Sequence, residues 1–322
     1  MRIGFLAFAV ALSACASAAP APEQFAGAPL ALSAPVQAFH PDHGRSRIVA
    51  DGGQSLLYVS DTGPSDVYIY TWPGGKQTGK LTGLASPTGV CNDSSGNIWV
   101  VESRAAEVVK FAHGGTKKLA TVSAPYAQRL TGCAVDPTTG NLAVADIGGA
   151  AGSGGIYVWA KAQGKATEYS SSQILEAFFC GYDASGNLFC DGVNKSYAFT
   201  LVELASGASK LQVVQTNGAI AYPGGVAWDG QYLAVGDQAY QNGHESAVYQ
   251  LTISGSNATV HGTTVLDGSC DALQFAIKGG NLAAPDACKN NAKFYKYPAG
   301  GSATVTLSGF QYPVAAAVSI KK

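Results

Sequence analysis

Short apolar runs separated by polar, glycine-bearing turns recur along most of the chain. The clearest copy, Gly132 to Asp146, reads GCAVDPTTGNLAVAD. It is an apolar strand, a turn closed by Gly140-Asn141, and a second apolar strand ending in an acid. GVCNDSSGNIWVVE (89–102), FCGYDASGNLFCD (179–191), GGVAWDGQYLAVGD (224–237) and LQFAIKGGNLAAPD (273–286) repeat it, and RIVADGGQSLLYVSD (47–61) is its loosest form. The turn glycines Gly96, Gly140, Gly186, Gly230 and Gly280 recur 44 to 50 residues apart. Each repeat continues into a strand that alternates apolar and polar positions, such as Ile156-Tyr157-Val158-Trp159 or Phe294-Tyr295-Lys296-Tyr297. Such alternation marks a half-buried strand. A glycine turn and a short outer strand follow, as in Lys117 to Thr121.

Four strands per unit at this period predict an all-β fold, a β-propeller. Six units are counted. Tyr312 to Ile320 looks like one more first strand with no partners after it. A ring of sheets that stays open exposes two edges, so this strand is expected to join blade one and close a six-bladed propeller. The alternative is seven blades, one of them assembled from both termini. The propeller is expected over 45–322.

The first residues have another character. Arg2 precedes an apolar run, Ile3 to Leu12, too short to span a bilayer, which reads as an export signal over 1–18. Ala16-Ser17-Ala18 suits ordinary cleavage. Leu12-Ser13-Ala14-Cys15 resembles a bacterial lipobox, which would leave Cys15 lipidated. Residues 19–44, rich in Ala and Pro, read as a tether. The protein is therefore expected in the cell envelope or secreted.

Charge narrows the partners. Charged residues make up 13% of the chain and the formal net charge is −1. No basic stripe for nucleic acid exists, and no polybasic patch for a membrane surface. Contact with a membrane would come only through a lipid on Cys15. The expected partner is a protein, glycan or small ligand, and the expected state a monomer. No cofactor is expected.

Beyond Cys15 there are six cysteines, an even number that favours disulfides in an exported chain. Cys270 enters the first strand of blade six and Cys288 follows the end of its second, on one face. The hairpin centred on Ser185 sets Cys180 opposite Cys190. Cys91 and Cys133, on inner strands of neighbouring blades, remain. A metal site is the alternative, though no CxxC or HxxxH spacing is present.

Two sets of acids repeat. Asp51, Asp93, Asp136, Asp183 and Asp229 precede the hairpin turn, where aspartate bonds the turn's own N–H groups. Asp61, Glu102, Asp146, Asp237 and Asp286 end the second strand, with Asp191 one place early. These would surround the channel mouth, either capping their own following loops or binding a cation. Function is sought in the loops that break the repeat on that face. The candidates for ligand binding are Glu102, Arg104, Tyr126, Arg129, Asn194, Tyr240, His244, Glu245 and Asp271. His244 beside Glu245 has the makings of an acid–base pair or of a solvated loop. No catalytic residue is assigned.

The pattern Gly-x-x-x-Asp-x-x-Gly-Asn-Leu-x-Val-x-Asp, followed by Val-Tyr-x-Tyr, resembles NHL-repeat propellers and the wider group that holds gluconolactonase-like and virginiamycin B lyase-like propellers. Tyr297 to Gly301 (Tyr-Pro-Ala-Gly-Gly) is similar to exported bacterial members of unassigned role. The gluconolactonase-like relatives imply a divalent metal held by Glu, Asn and Asp at the channel mouth. The matching positions read Arg47/Ile48, Thr88, Thr131, Phe179, Gly224 and Asp271, of which only Asp271 fits. The lyase-like relatives imply a channel-face histidine, for which His244 is the candidate. The resemblance therefore implies the fold first. A binding module using the face of the second-to-third-strand loops is the main functional expectation, and a lyase or lactonase with a divalent cation at the channel mouth the alternative.

Overall fold

The computed structural model describes residues 45–49, 53–148, 154–243 and 245–321. The expected signal, Cys15 and tether lie outside them, as do Asp51 and His244. Six antiparallel sheets are present. Blade two runs outward through Pro87–Asn92, Ile98–Glu102, Glu107–Phe111 and Lys118–Ser123. Blades three to six repeat that order from inner strands Leu130–Val135, Glu176–Tyr182, Pro223–Trp228 and Ala276–Lys278. Each inner strand lies against the next, and Pro313–Ser319 fills the gap between blades six and two. The protein is a six-bladed β-propeller.

The C-terminal strand closes the ring as expected. Pro313–Ser319 pairs antiparallel with Leu56–Asp61, the second strand of blade one, from Leu56↔Ser319 to Asp61↔Pro313. The loosest repeat is placed differently from its expected position. Arg47–Ile48 is the outermost strand of blade one, paired with Lys80 and Gly79, and not the inner one. The inner place is already taken by the tail, so the entering chain can add only at the outer edge.

The core lies between blades. Leu56, Tyr58, Ile69 and Ala315 of blade one pack with Val90, Ile98, Val109 and Phe111 of blade two, all buried. Similar clusters join blades two to three, three to four, five to six, and six to one. A sheet buried on both faces needs apolar residues at consecutive positions, which is why Leu142–Asp146 and Ile98–Glu102 are buried throughout. Near the axis the strands converge and space is short. A Cβ on Gly181 would stand 2.5 Å from the Val226 carbonyl oxygen, and one on Gly132 2.9 Å from Phe179 Cα. Hydroxyls tie neighbouring inner strands: Ser60 Oγ donates to Thr88 O, Thr88 Oγ1 to Leu130 O, and Thr131 Oγ1 to Phe178 O.

All three cysteine pairs form as expected. Cys91–Cys133 joins the inner strands of blades two and three across a Cα–Cα distance of 5.7 Å. Cys180–Cys190 bridges directly opposed residues of one hairpin at 4.1 Å. Cys270–Cys288 spans 6.3 Å in blade six. Among the described residues no helix is long and apolar enough to cross a membrane.

Candidate functional site

The two ends of the central channel are distinct. One carries the Gly-Asn hairpins. The other carries the loops that enter each inner strand and those that leave each second strand. Acids are built into both.

At the hairpin end each aspartate closes its own turn. Asp93 Oδ1 accepts from the N–H of Ser95 and Asn97, Asp183 Oδ1 from Ser185 and Asn187, and Asp229 Oδ1 from Gln231 and Tyr232. This is the turn chemistry expected of them.

At the entry end the second-strand acids are also committed to backbone, and mainly to the loop that enters their own blade. Asp61 accepts from Gln311 and Tyr312 N–H at 2.9 and 2.7 Å. Asp146 accepts from Gln128 and Arg129 N–H, and Asp237 from Ala221 and Tyr222 N–H. Asp286 takes Cys270 N–H. The expected cap on the following loop is present as well, from Gly148, Ala239 and Lys289 N–H. Glu102, one methylene longer, pairs with Lys118 Nζ at 3.1 Å instead. Asp191 bonds Phe179 N–H in its own blade and Gly224 N–H in the next. A register shift between Ala177 and Phe179 places it there. Wholly buried, it is pushed up to about 8.

Two of these clamps hold the backbone of residues at the mouth, Arg129 and Tyr222. Arg129, Glu176, Tyr222 and Asp271 stand at or just before the inner strands of blades three, four, five and six. Burial raises Glu176, and the Arg129 guanidinium pulls it back. Burial drives the Tyr222 hydroxyl to about 12, reinforced by the charges of Glu176, Asp271 and Asp191. Asp271 is raised to about 7, by burial first and then by Asp286. Unlike the clamping acids, its carboxylate accepts no hydrogen bond among the described residues. The four side chains therefore form one electrostatically coupled group.

Of the residues nominated from the sequence, Arg129 and Asp271 belong to this group. Glu176 and Tyr222 were missed. A sequence signal for Tyr222 exists: Tyr-Pro precedes the inner strand at both Tyr222-Pro223 and Tyr312-Pro313. Glu102 and Asn194 are structural. Asn194 Oδ1 closes its turn on Ser196 and Ala198 N–H. Arg104 is exposed on the 3-10 turn Ser103–Ala105 of blade two. Tyr240 begins a single helical turn, Tyr240–Gly243, with its ring edge-on to Tyr249, and Glu245 starts the strand after it, half-buried. Tyr126, in the loop entering blade three, is 76% exposed. Tyr197, in the loop after the second strand of blade four, is 68% exposed at the same end.

Thr88 and Thr131, two of the positions matched to metal ligands in gluconolactonase-like propellers, spend their hydroxyls on carbonyls of the next blade. One grouping among the described residues has metal-ligand chemistry: Cys270, Asp286 and Cys288, with ligand atoms within 4.8 Å of one another. Its two sulfurs are joined to each other, which leaves the Asp286 carboxylate.

No family model matches the chain, and no curated protein matches it in sequence. Solved structures do match. A chain of a nidogen/laminin complex superposes with a TM-score of 0.67 at 12% identity, over 83% of this chain and 99% of that one. A protein of unknown function from Bacteroides caccae gives 0.58 at 15%, over 84% and 100%. Streptogramin B lyase gives 0.50 at 12%, over 80% and 75%. The likeness is one of fold. It joins this chain to propellers that differ in role, so function must be argued from the site.

Proposed function

We propose that this chain is an exported propeller that binds a protein partner on its strand-entry face, around the mouth formed by Arg129, Glu176, Tyr222 and Asp271. In this reading residues 1–18 direct export, 19–44 tether the propeller, and Cys15 anchors it where it is lipidated. Three disulfides support an oxidising compartment. A nidogen/laminin complex among the fold's neighbours is in keeping with a protein partner.

The observation that carries the reading is the placement of Tyr126 and Tyr197. They are the two most exposed aromatic side chains among the described residues, and both stand at the end where Arg129 lies. Tyrosine and arginine are enriched at binding hot spots, tyrosine because it buries a large area with few torsions. The test is photocrosslinking in the producing cell, with a benzophenone amino acid at position 126 or 197 and a control at Thr139 on the hairpin end. A discrete adduct from 126 and 197, absent from 139, is expected. Adducts from 139 alone, or from none, would sink the proposal.

A second reading rests on Asp271. A carboxylate raised to about 7 with no hydrogen-bond donor has the form of a general base. A lyase or lactonase would use it beneath a substrate at the mouth, with a divalent cation alongside. Native mass spectrometry and metal analysis of the purified full chain test this. A stoichiometric metal lost in Asp271→Asn would favour it over the binding module.

A further inference from the structure

The channel has a second feature, at the end opposite the mouth. Gln274 reaches across the axis from blade six, and its Nε2 donates to Val90 O at 2.8 Å and Cys133 O at 3.1 Å on blades two and three. On the hairpin side of this bridge lies a recess of about 460 Å³. That is within the size range of small-molecule sites. Its walls are mixed: Val90, Val226, Phe275, Ala317 and the Cys91–Cys133 disulfide supply an apolar part, and Asn92, Ser94 and Gln274 are among the polar groups beside it.

The charged groups at its rim are unequal. Asp93 is held by Ser95 and Asn97 and paired with Lys110 at 2.7 Å. Asp183 is tied to Ser185 N–H and to both nitrogens of Asn187. Lys278 is exposed, and its ammonium has neither an ion pair nor a hydrogen bond among the described residues. On the neighbouring blade stands half-buried Trp228, whose indole N–H has no acceptor among the described residues.

We propose that this recess binds a small amphipathic anion. The apolar body fills the recess, releasing water from its walls. The acidic head remains at the rim, on the Lys278 ammonium with the Trp228 N–H beside it. An anion deeper in would be stripped of water with no cation to meet it, so the site selects an apolar carboxylate or sulfonate of modest length over a doubly charged or wholly polar molecule. The site is separate from the strand-entry face and does not depend on the function proposed for it.

The test is a fluorescence titration of the folded full chain with two dyes of similar body: anionic anilinonaphthalene sulfonate and uncharged phenylnaphthylamine. One saturable site is expected for the sulfonate, with energy transfer from tryptophan. Lys278→Glu should weaken the sulfonate at least tenfold and the uncharged dye less than twofold. Asn92→Trp, which places a bulky ring at an exposed position of the rim, should block both dyes. Both substitutions lie at exposed positions, and an unchanged melting temperature checks that the fold survives. Tyr197→Gly, at the other end, should leave both titrations as they were. Absence of saturable sulfonate binding, or binding that neither Lys278→Glu nor Asn92→Trp changes, would overturn the proposal.

Discussion

Acids at the two ends of the channel behave in opposite ways. At the hairpin end Asp93, Asp136 and Asp229 are held below the ordinary carboxylate value. Burial acts against this, but Lys110 and Asn97, the hydroxyls and N–H groups of Thr138 and Thr139, and the Tyr232 N–H with Gln250 and Tyr297 outweigh it. At the entry end Asp61, Asp191, Asp237, Asp271 and Glu176 are all raised, with burial the leading cause. In blade five the contrast falls within one repeat: Asp229 is charge-stabilised and Asp237 charge-penalised. The difference lies in what the acids hold. A hairpin aspartate closes a turn two to four residues away. An entry acid reaches 15 to 18 residues back, or 251 residues forward in blade one, and must be buried to do so. The consequence is that Arg129 and Tyr222 are held by their backbone N–H groups with their side chains available.

Removing one acid from each end breaks this comparison most directly. Asp61→Ala would remove the acceptor of two part-buried N–H groups on the tail, Gln311 and Tyr312, and loosen the closing strand, at a cost of about 2 kcal/mol. Asp183→Ala, which loses a local turn bond at a half-buried site, should cost about 1 kcal/mol. Chemical denaturation of the two variants measures both. Equal losses would show that the tail's clamp does not close the ring.

The contrast in charge also predicts a contrast in pH. Asp271 has a folded value raised well above its unfolded one, so its contribution is full below about pH 4 and is lost as pH rises through about 7. Asp229 has a lowered folded value, so its contribution is present above its unfolded value and is lost as pH falls into the acid range. Asp271→Asn should therefore match the parent near pH 4 and melt about 3 °C higher at pH 8. Asp229→Asn should lose stability at pH 7 and converge on the parent in acid. Melting curves from about pH 2 to about pH 8 decide this, and an Asp271→Asn gain that is largest in acid would reverse the assignment.

What the sequence makes legible follows from what repeats. The Gly-Asn hairpins, the orphan strand at the tail and the three cysteine pairs are local patterns multiplied by a ring, and all are found where expected. Arg47–Ile48 escapes because two residues carry no period, and their place depends on the tail having taken the inner position. Glu176 escapes because the shift at Ala177/Phe179 moves the start of its strand three residues upstream of the recognisable repeat. The hairpin-end recess has no motif. It exists where Gln274 crosses the axis to blades two and three, a contact that does not show until the ring is closed.

The smallest effect on stability is expected where the case for function is strongest. Tyr197 sits in the left-handed region at φ 56°, with its N–H on Asn194 O and its ring in solvent. A non-glycine residue there costs about 1 kcal/mol relative to relaxed backbone, and an exposed ring recovers none of it through burial. Glycine is the residue this turn geometry favours. Tyr197→Gly should therefore leave stability unchanged or raise it by up to about 1 kcal/mol, while removing a contact the proposed partner uses. Thermal melting reads the first effect. Loss of the adduct from a benzophenone at position 126 in the Tyr197→Gly background reads the second. A fold weakened by more than about 1 kcal/mol would mean that Tyr197 serves the propeller and not its partner.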